Sequence, residues 1–123
     1  MNILYEDNHI IAINKTCNEI VQGDKTGDVP VSELVKAYIK EKYNKLGDVF
    51  LGVTHRLDRP TTGVVLFART SKALVRLNEM FKWHEAIKKT YWAIVQSPPA
   101  VAEGRVEHYL VRNEKQNKTY APQ

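Results

Sequence analysis

This 123-residue sequence predicts an α+β fold, a mixed and largely antiparallel β-sheet with flanking helices. Three observations point there. Two short apolar runs near the N-terminus flank an acidic turn. Two later stretches carry apolar residues at helical spacing. The other apolar stretches are short and separated by Gly, Pro or polar turns.

Residues 2–6 and 9–14 read as strands around Glu6-Asp7-Asn8. The run Ile10-Ile11-Ala12-Ile13 is continuous rather than alternating, which implies burial on both faces. Residues 22–29 are polar, and their two glycines lack the Gly-Lys-Ser/Thr ending of a phosphate loop. The spacing of Val31, Leu34, Val35, Tyr38 and Ile39 predicts a core-packing helix from about Pro30 to Tyr43. Residues 63–69 form the next strand. Thr70 or Ser71 caps a second helix over about 71–86, with Ala73, Leu74, Leu77, Met80 and Phe81 as its buried stripe. Lys72, Arg76, Lys82 and Glu85 remain as a mostly basic face, and His84 is expected at the surface. Residues 89–96 and 104–112 read as further strands, and the polar tail 113–123 as a loop.

Composition narrows the function classes. A hydrophobic content of 43% is ordinary for a globular chain. No apolar run approaches bilayer length, so no membrane partner is expected. No secretory signal is evident, and the single cysteine, Cys17, excludes an internal disulfide. A cytoplasmic location is therefore expected, with Cys17 as a small, partly buried side chain. His9, His55, His84 and His108 lack the short spacing of a zinc site, so no metal is expected. Charge is uneven. Residues 1–50 carry six Lys against eight acids, and residues 51–123 carry twelve Lys and Arg against six. All six arginines lie in the second part. A one-sided basic surface suits a nucleic-acid backbone, although a solubilising surface has the same composition.

The most informative stretch is His55-Arg56-Leu57-Asp58-Arg59-Pro60-Thr61-Thr62-Gly63. It sets one carboxylate between two arginines, whose charge favours its ionised form. Pro and Gly place it on a tight loop at the mouth of the strand Val64-Val65-Leu66-Phe67-Ala68. From charge alone, Asp58 is equally well a solvated ion-pair member or a turn former.

The stretch resembles the HRLDxxTSG signature of the RluA-type pseudouridine synthases, with Thr62 in place of a common Ser. Two further segments are similar to the same family. Ile3-Leu4-Tyr5-Glu6-Asp7-Asn8-His9 through Lys15 resembles its opening motif, and Lys89-Thr90-Tyr91-Trp92-Ala93-Ile94-Val95 its K-x-Y-x-A-x-V motif. Two departures stand out. Thr16-Cys17-Asn18 replaces the usual Pro-Ala-Gly, and no match to the later TGRxHQIR motif, whose Arg lies against the catalytic Asp, occurs before Gln123.

The resemblance implies isomerisation of uridine to pseudouridine in ribosomal or transfer RNA, without cofactor or metal. It assigns Asp58 as the catalytic carboxylate, either attacking the sugar or taking a proton from it. It assigns Arg56 to the space left by the flipped nucleotide and Tyr91 to the uracil, with a possible part for its hydroxyl in proton transfer at carbon 5. Arg59 is expected to pair with Asp58 or with RNA, and Lys89 to meet phosphate or only to flank a strand. His55 and Thr62 are expected to support the loop. Residues 1–123 are expected to be the N-terminal part of a catalytic domain, incomplete in its sheet and without a separate N-terminal RNA-binding domain. Two other readings stand beside this one: a non-catalytic RNA-binding module, and an inactive half-domain that self-associates through an exposed sheet edge.

Overall fold

The computed structural model describes residues 1–83 and 85–122 and divides into two compact units, Met1–Lys89 and Thr90–Gln123. The expected surface place of His84 lies outside the described residues.

In the first unit, β1 (Asn2–Glu6) and β2 (Ile10–Lys15) form an antiparallel hairpin. The Asp7 carboxylate closes its turn by accepting the amides of His9 (2.7 Å) and Ile10 (2.8 Å). This is the local bonding that makes Asp a turn residue. Helix α1 covers Val31–Lys42, β3 Gly52–Val53, β4 Gly63–Ala68 and α2 Ser71–Lys82. The sheet runs β1-β2-β4-β3, all antiparallel. β2 lies inside it and pairs with β4 from Ile10↔Ala68 to Lys15↔Gly63.

Successive strand side chains point to opposite faces, and the two helices take one face each. Ile11, Ile13, Val65 and Phe67 pack in one cluster with Val31, Val35 and Ile39 of α1. Ile10 and Ala68 pack with Ala73 and Leu77 of α2. The double burial expected of the Ile10–Ile13 run is thus met by a helix on each side. Each large apolar side chain removed from water here contributes about 1.5–3 kcal/mol. Gly52 lets α2 approach closely, because a Cβ there would lie 2.7 Å from Leu74 Cδ1.

Several boundaries differ from expectation. The Thr70 hydroxyl accepts the Ala73 amide at 3.1 Å and so is the cap of α2. That helix ends at Lys82 rather than 86, because Trp83 takes extended torsions (φ −95°, ψ 98°). Leu34 and Met80, expected in buried stripes, are exposed at the margins of their helices. Cys17 is exposed, not partly buried; it sits in a turn whose next residue, Asn18, has φ 70°. No described helix is long and apolar enough to cross a membrane.

The second unit carries one hairpin, β5 (Val111–Asn113) with β6 (Lys118–Tyr120). The strand expected over 89–96 does not form, and of the one expected over 104–112 only Val111 and Arg112 lie in a strand, β5; no strand occurs among described residues 89–110. The polar tail, expected as a loop, instead supplies β6. A strand needs a partner for its ladder. The turn between Asn113 and Lys118 provides a local one, with the Asn113 side chain accepting the Gln116 amide at 3.2 Å. Residues 89–96 pair with nothing among the described residues, and Trp92 and Ile94 are fully exposed at 97% and 104%.

Candidate active site

The His55–Gly63 segment follows β3 without regular secondary structure and turns at Arg59-Pro60 before β4. The Thr61 amide donates to the Asp58 carbonyl at 2.9 Å, closing the turn. Gly63 then starts β4 at φ 141°, a conformation that favours glycine. Leu57 is buried in the main core, while Arg56 and Asp58 are exposed on either side of it.

Lys15 fixes the turn from beneath. The alternation Ile11, Ile13, Lys15 carries it to the core face of β2, where its side chain is fully buried. Its ammonium donates to the carbonyls of Thr16 (3.0 Å), Glu19 (2.7 Å) and Arg59 (3.0 Å). Three donors meet three acceptors, so the buried charge is fully hydrogen-bonded. Burial pulls the Lys15 pKa below the usual lysine value, opposed first by the Glu19 carboxylate and more weakly by Asp58. The Arg59 carbonyl also accepts the Asn18 amide at 3.0 Å. Asn18 stands where the resembling family has Gly, and it takes the positive φ that Asn tolerates better than most residues. The Thr16-Cys17-Asn18 replacement therefore keeps a turn at this point.

Neither flanking arginine pairs with Asp58. Arg59 reaches back to the 16–28 loop, donating to the Asn18 carbonyl (2.9 Å) and the Thr26 hydroxyl (3.2 Å). It forms ion pairs with Asp24 (3.3 Å) and Asp28 (3.0 Å). The Asp24 carboxyl is held below its ordinary pKa, first by the hydroxyl and amide of Thr26 and then by Arg59. The expected Arg59–Asp58 pair is absent because these two acids take the guanidinium. Arg56 is exposed and forms no ion pair among the described residues.

His55 continues the work of β3 beyond its last residue. Its Nε2 accepts the Leu66 amide at 2.9 Å, which requires a neutral ring at that nitrogen. The ring stacks on Phe81 of α2, with centroids 4.5 Å apart and planes at 24°. Burial, and secondarily the charge of Lys89, lower its pKa. The Lys89 ammonium lies 6.0 Å above the same Phe81 ring. Thr62 is exposed beside Gly63. Thus His55, Arg56, Asp58, Arg59 and Thr62 share one loop. Tyr91 belongs to the second unit, where it is exposed. Among the described residues no group of three or more His, Cys, Asp or Glu side chains is placed to hold a metal ion.

The sequence reading missed the part of Lys15, although the signal was present: a lysine at the third core-facing position of an apolar strand. It also missed the Asp24 and Asp28 pairing, for which spacing carries no signal.

The RNA pseudouridylate synthase family model matches residues 9–123. The tRNA pseudouridine synthase C of Yersinia pestis is 34% identical over 93% of this chain and 41% of its own length. The ribosomal large subunit pseudouridine synthase C of Rickettsia bellii is 34% identical over 85% of this chain and 33% of its own. The solved structure of human RNA Pseudouridylate Synthase Domain Containing 4 matches with a TM-score of 0.58 at 25% identity, over 68% of this chain and 30% of that one. The chain thus spans 41% and 33% of the length of these two curated relatives. With the matched model covering nearly the whole sequence, and with the three motifs in family order, this chain belongs to the RNA pseudouridylate synthase family.

Proposed function

We propose that this chain serves the conversion of uridine to pseudouridine in RNA, with Asp58 as the reacting carboxylate. The observation that carries the reading is the mounting of Asp58. It is exposed at the head of a turn held by buried Leu57 and by the buried Lys15 ammonium on the next carbonyl. A rigid support with an exposed acid is what a site needs to hold a reacting group within reach of a substrate.

The reaction breaks the bond between uracil N1 and sugar C1′ and joins C1′ to carbon 5. The carbon-5 hydrogen leaves as a proton, and N1 ends protonated. Asp58 either bonds to C1′ and is later displaced by carbon 5, or removes a sugar proton so that the base leaves as an anion and returns that proton to the sugar as carbon 5 bonds to C1′. Arg56, exposed and without an ion pair, fits the space vacated by a flipped nucleotide. Tyr91 provides a face for the uracil and a hydroxyl for proton transfer, and Lys89 a cation for phosphate. Arg59 holds the loop in place through Asp24 and Asp28. The substrate class, ribosomal or transfer RNA, follows the printed names of the relatives.

A binding role without turnover is the second reading. The observation favouring it is the basic second part, with twelve Lys and Arg against six acids over residues 51–123. Release of the carbon-5 hydrogen from labelled uridine in RNA separates the two. Release by the parent chain and none by Asp58→Asn, with unchanged circular dichroism, supports isomerisation. Salt-sensitive RNA binding by both with release by neither establishes the binding module. Undiminished release by Asp58→Asn removes Asp58 from the chemistry.

A further inference from the structure

A second basic feature lies at the opposite end of β2 from Asp58. His9, Lys72 and Arg76 rim a shallow cavity of about 230 Å³ whose floor is Ile10, Ala73 and Leu77. Ile10 and Lys15 mark the two ends of β2, so the cavity is roughly 17 Å along the strand from the turn that carries Asp58. Lys72 and Arg76 are one helical turn apart on one face of α2. Both are exposed, and neither forms an ion pair among the described residues. Three acids lie near: Glu79, three residues from Arg76 on α2, Asp7, which keeps its charge, and Glu6, which is paired with Lys42. Asp7 holds the amides of His9 and Ile10, and Glu6 accepts from Lys42 (3.1 Å) and Tyr38 (2.8 Å). No acid is among the residues lining the cavity, so its rim of Lys72 and Arg76 is basic.

We propose that this groove is a second contact for the RNA substrate, with Lys72 and Arg76 on consecutive backbone phosphates and a sugar or base face against Ile10 and Leu77. This rests on the reading of the chain as an RNA enzyme. Charge complementarity selects a polyanion. The cavity is smaller than the roughly 300–1,000 Å³ of an ordinary small-molecule site, and a single sugar or base of a longer chain is in keeping with that size. Phosphate contacts of this kind set register and carry no sequence information. The groove thus anchors flanking RNA while the Asp58 loop receives the target nucleotide.

The test compares the parent chain with Lys72→Gln/Arg76→Gln, and with Lys40→Gln/Lys45→Gln as a control that removes equal charge from around α1. Binding of a single-stranded RNA oligonucleotide is followed from about 50 mM to about 200 mM salt. Loss of two phosphate contacts lowers the slope of log affinity against log salt by about 1.4, so the deficit of the groove variant narrows about sevenfold across that range. The control keeps the parent slope. A groove variant with the parent slope, a control that falls as far as the groove variant, or a parent that binds no RNA each overturns the proposal. Polyglutamate that binds the parent as tightly as RNA, and is lost in the groove variant, assigns the groove to an acidic protein segment instead. Carbon-5 hydrogen release is scored separately. A lowered slope in the groove variant with no release by the parent loses the isomerase reading and keeps the groove, whereas release by the parent with an unchanged slope in the variant does the reverse.

Discussion

The first unit and the segment that follows it make opposite use of similar material. Residues 10–13 and 91–95 are both short apolar runs with good strand formers. In the first, Ile11 and Ile13 are buried to 0% and 1% exposure between two neighbouring strands and a helix. In the second, Trp92 and Ile94 face solvent entirely. The difference does not lie in propensity. It lies in whether a ladder partner and a covering helix are at hand, because strand preference is largely a preference for a pleated, half-buried surface. Sequence alone gives both runs the same reading, and the surroundings separate them.

The most direct way to break this comparison is a matched pair of truncations. Phe67→Ala should destabilise the first unit by about 3–5 kcal/mol, as expected for an aromatic side chain in a close-packed core. Ile94→Ala should change stability by no more than about 0.5 kcal/mol. Urea unfolding followed by circular dichroism reads both, and equal effects would mean that residues 91–95 are packed. Next in size is Lys15→Met, which keeps length but leaves the carbonyls of Thr16, Glu19 and Arg59 without their donor. A loss of about 2–4 kcal/mol is expected. A neutral result would show that the turn stands without its ammonium.

Gly63→Ala should cost about 1–3 kcal/mol, since the φ of 141° is sparsely allowed for any residue with a Cβ. The smallest effect concerns pH. His55 is held neutral in the fold, with its pKa lowered by burial and by Lys89. Its contribution to stability is therefore present above its ordinary pKa of about 6.5 and is lost as pH falls through that value towards the lower folded one. His55→Gln should flatten the pH dependence of the unfolding midpoint in that window. An identical dependence in parent and variant would remove His55 from the account.

The local elements were readable because their signals are local. The hairpin turn at Asp7, the helical spacing from Val31 to Ile39, the cap at Thr70 and the Pro-Gly punctuation of the signature each act within a few residues. Asp58 was legible as a loop residue ahead of a strand for the same reason, and its role was suggested by resemblance to a family motif. The fate of Arg59 was not legible. Its partners Asp24 and Asp28 are more than thirty residues earlier, and two nearer candidates, Asp58 and RNA, fitted its charge equally well. Residues 89–96 and 104–110 failed differently, because their pattern was sound and the missing quantity was a neighbour.

By itself, then, the amino-acid sequence determined the α+β character, the order β1, β2, α1, β4 and α2, the signature turn and the family, but not the short β3. Periodicity, capping and turn chemistry are written in adjacent side chains. Tertiary structure alone decided that a lysine would be buried with its ammonium on the Arg59 carbonyl, forty-four residues away. It likewise decided that Arg59 would bind the 16–28 loop and that one apolar run would be core while another stayed in water. Those outcomes depend on which distant groups compete for the same charge, carbonyl or strand edge, and the winner is set by the free energy of the packed whole.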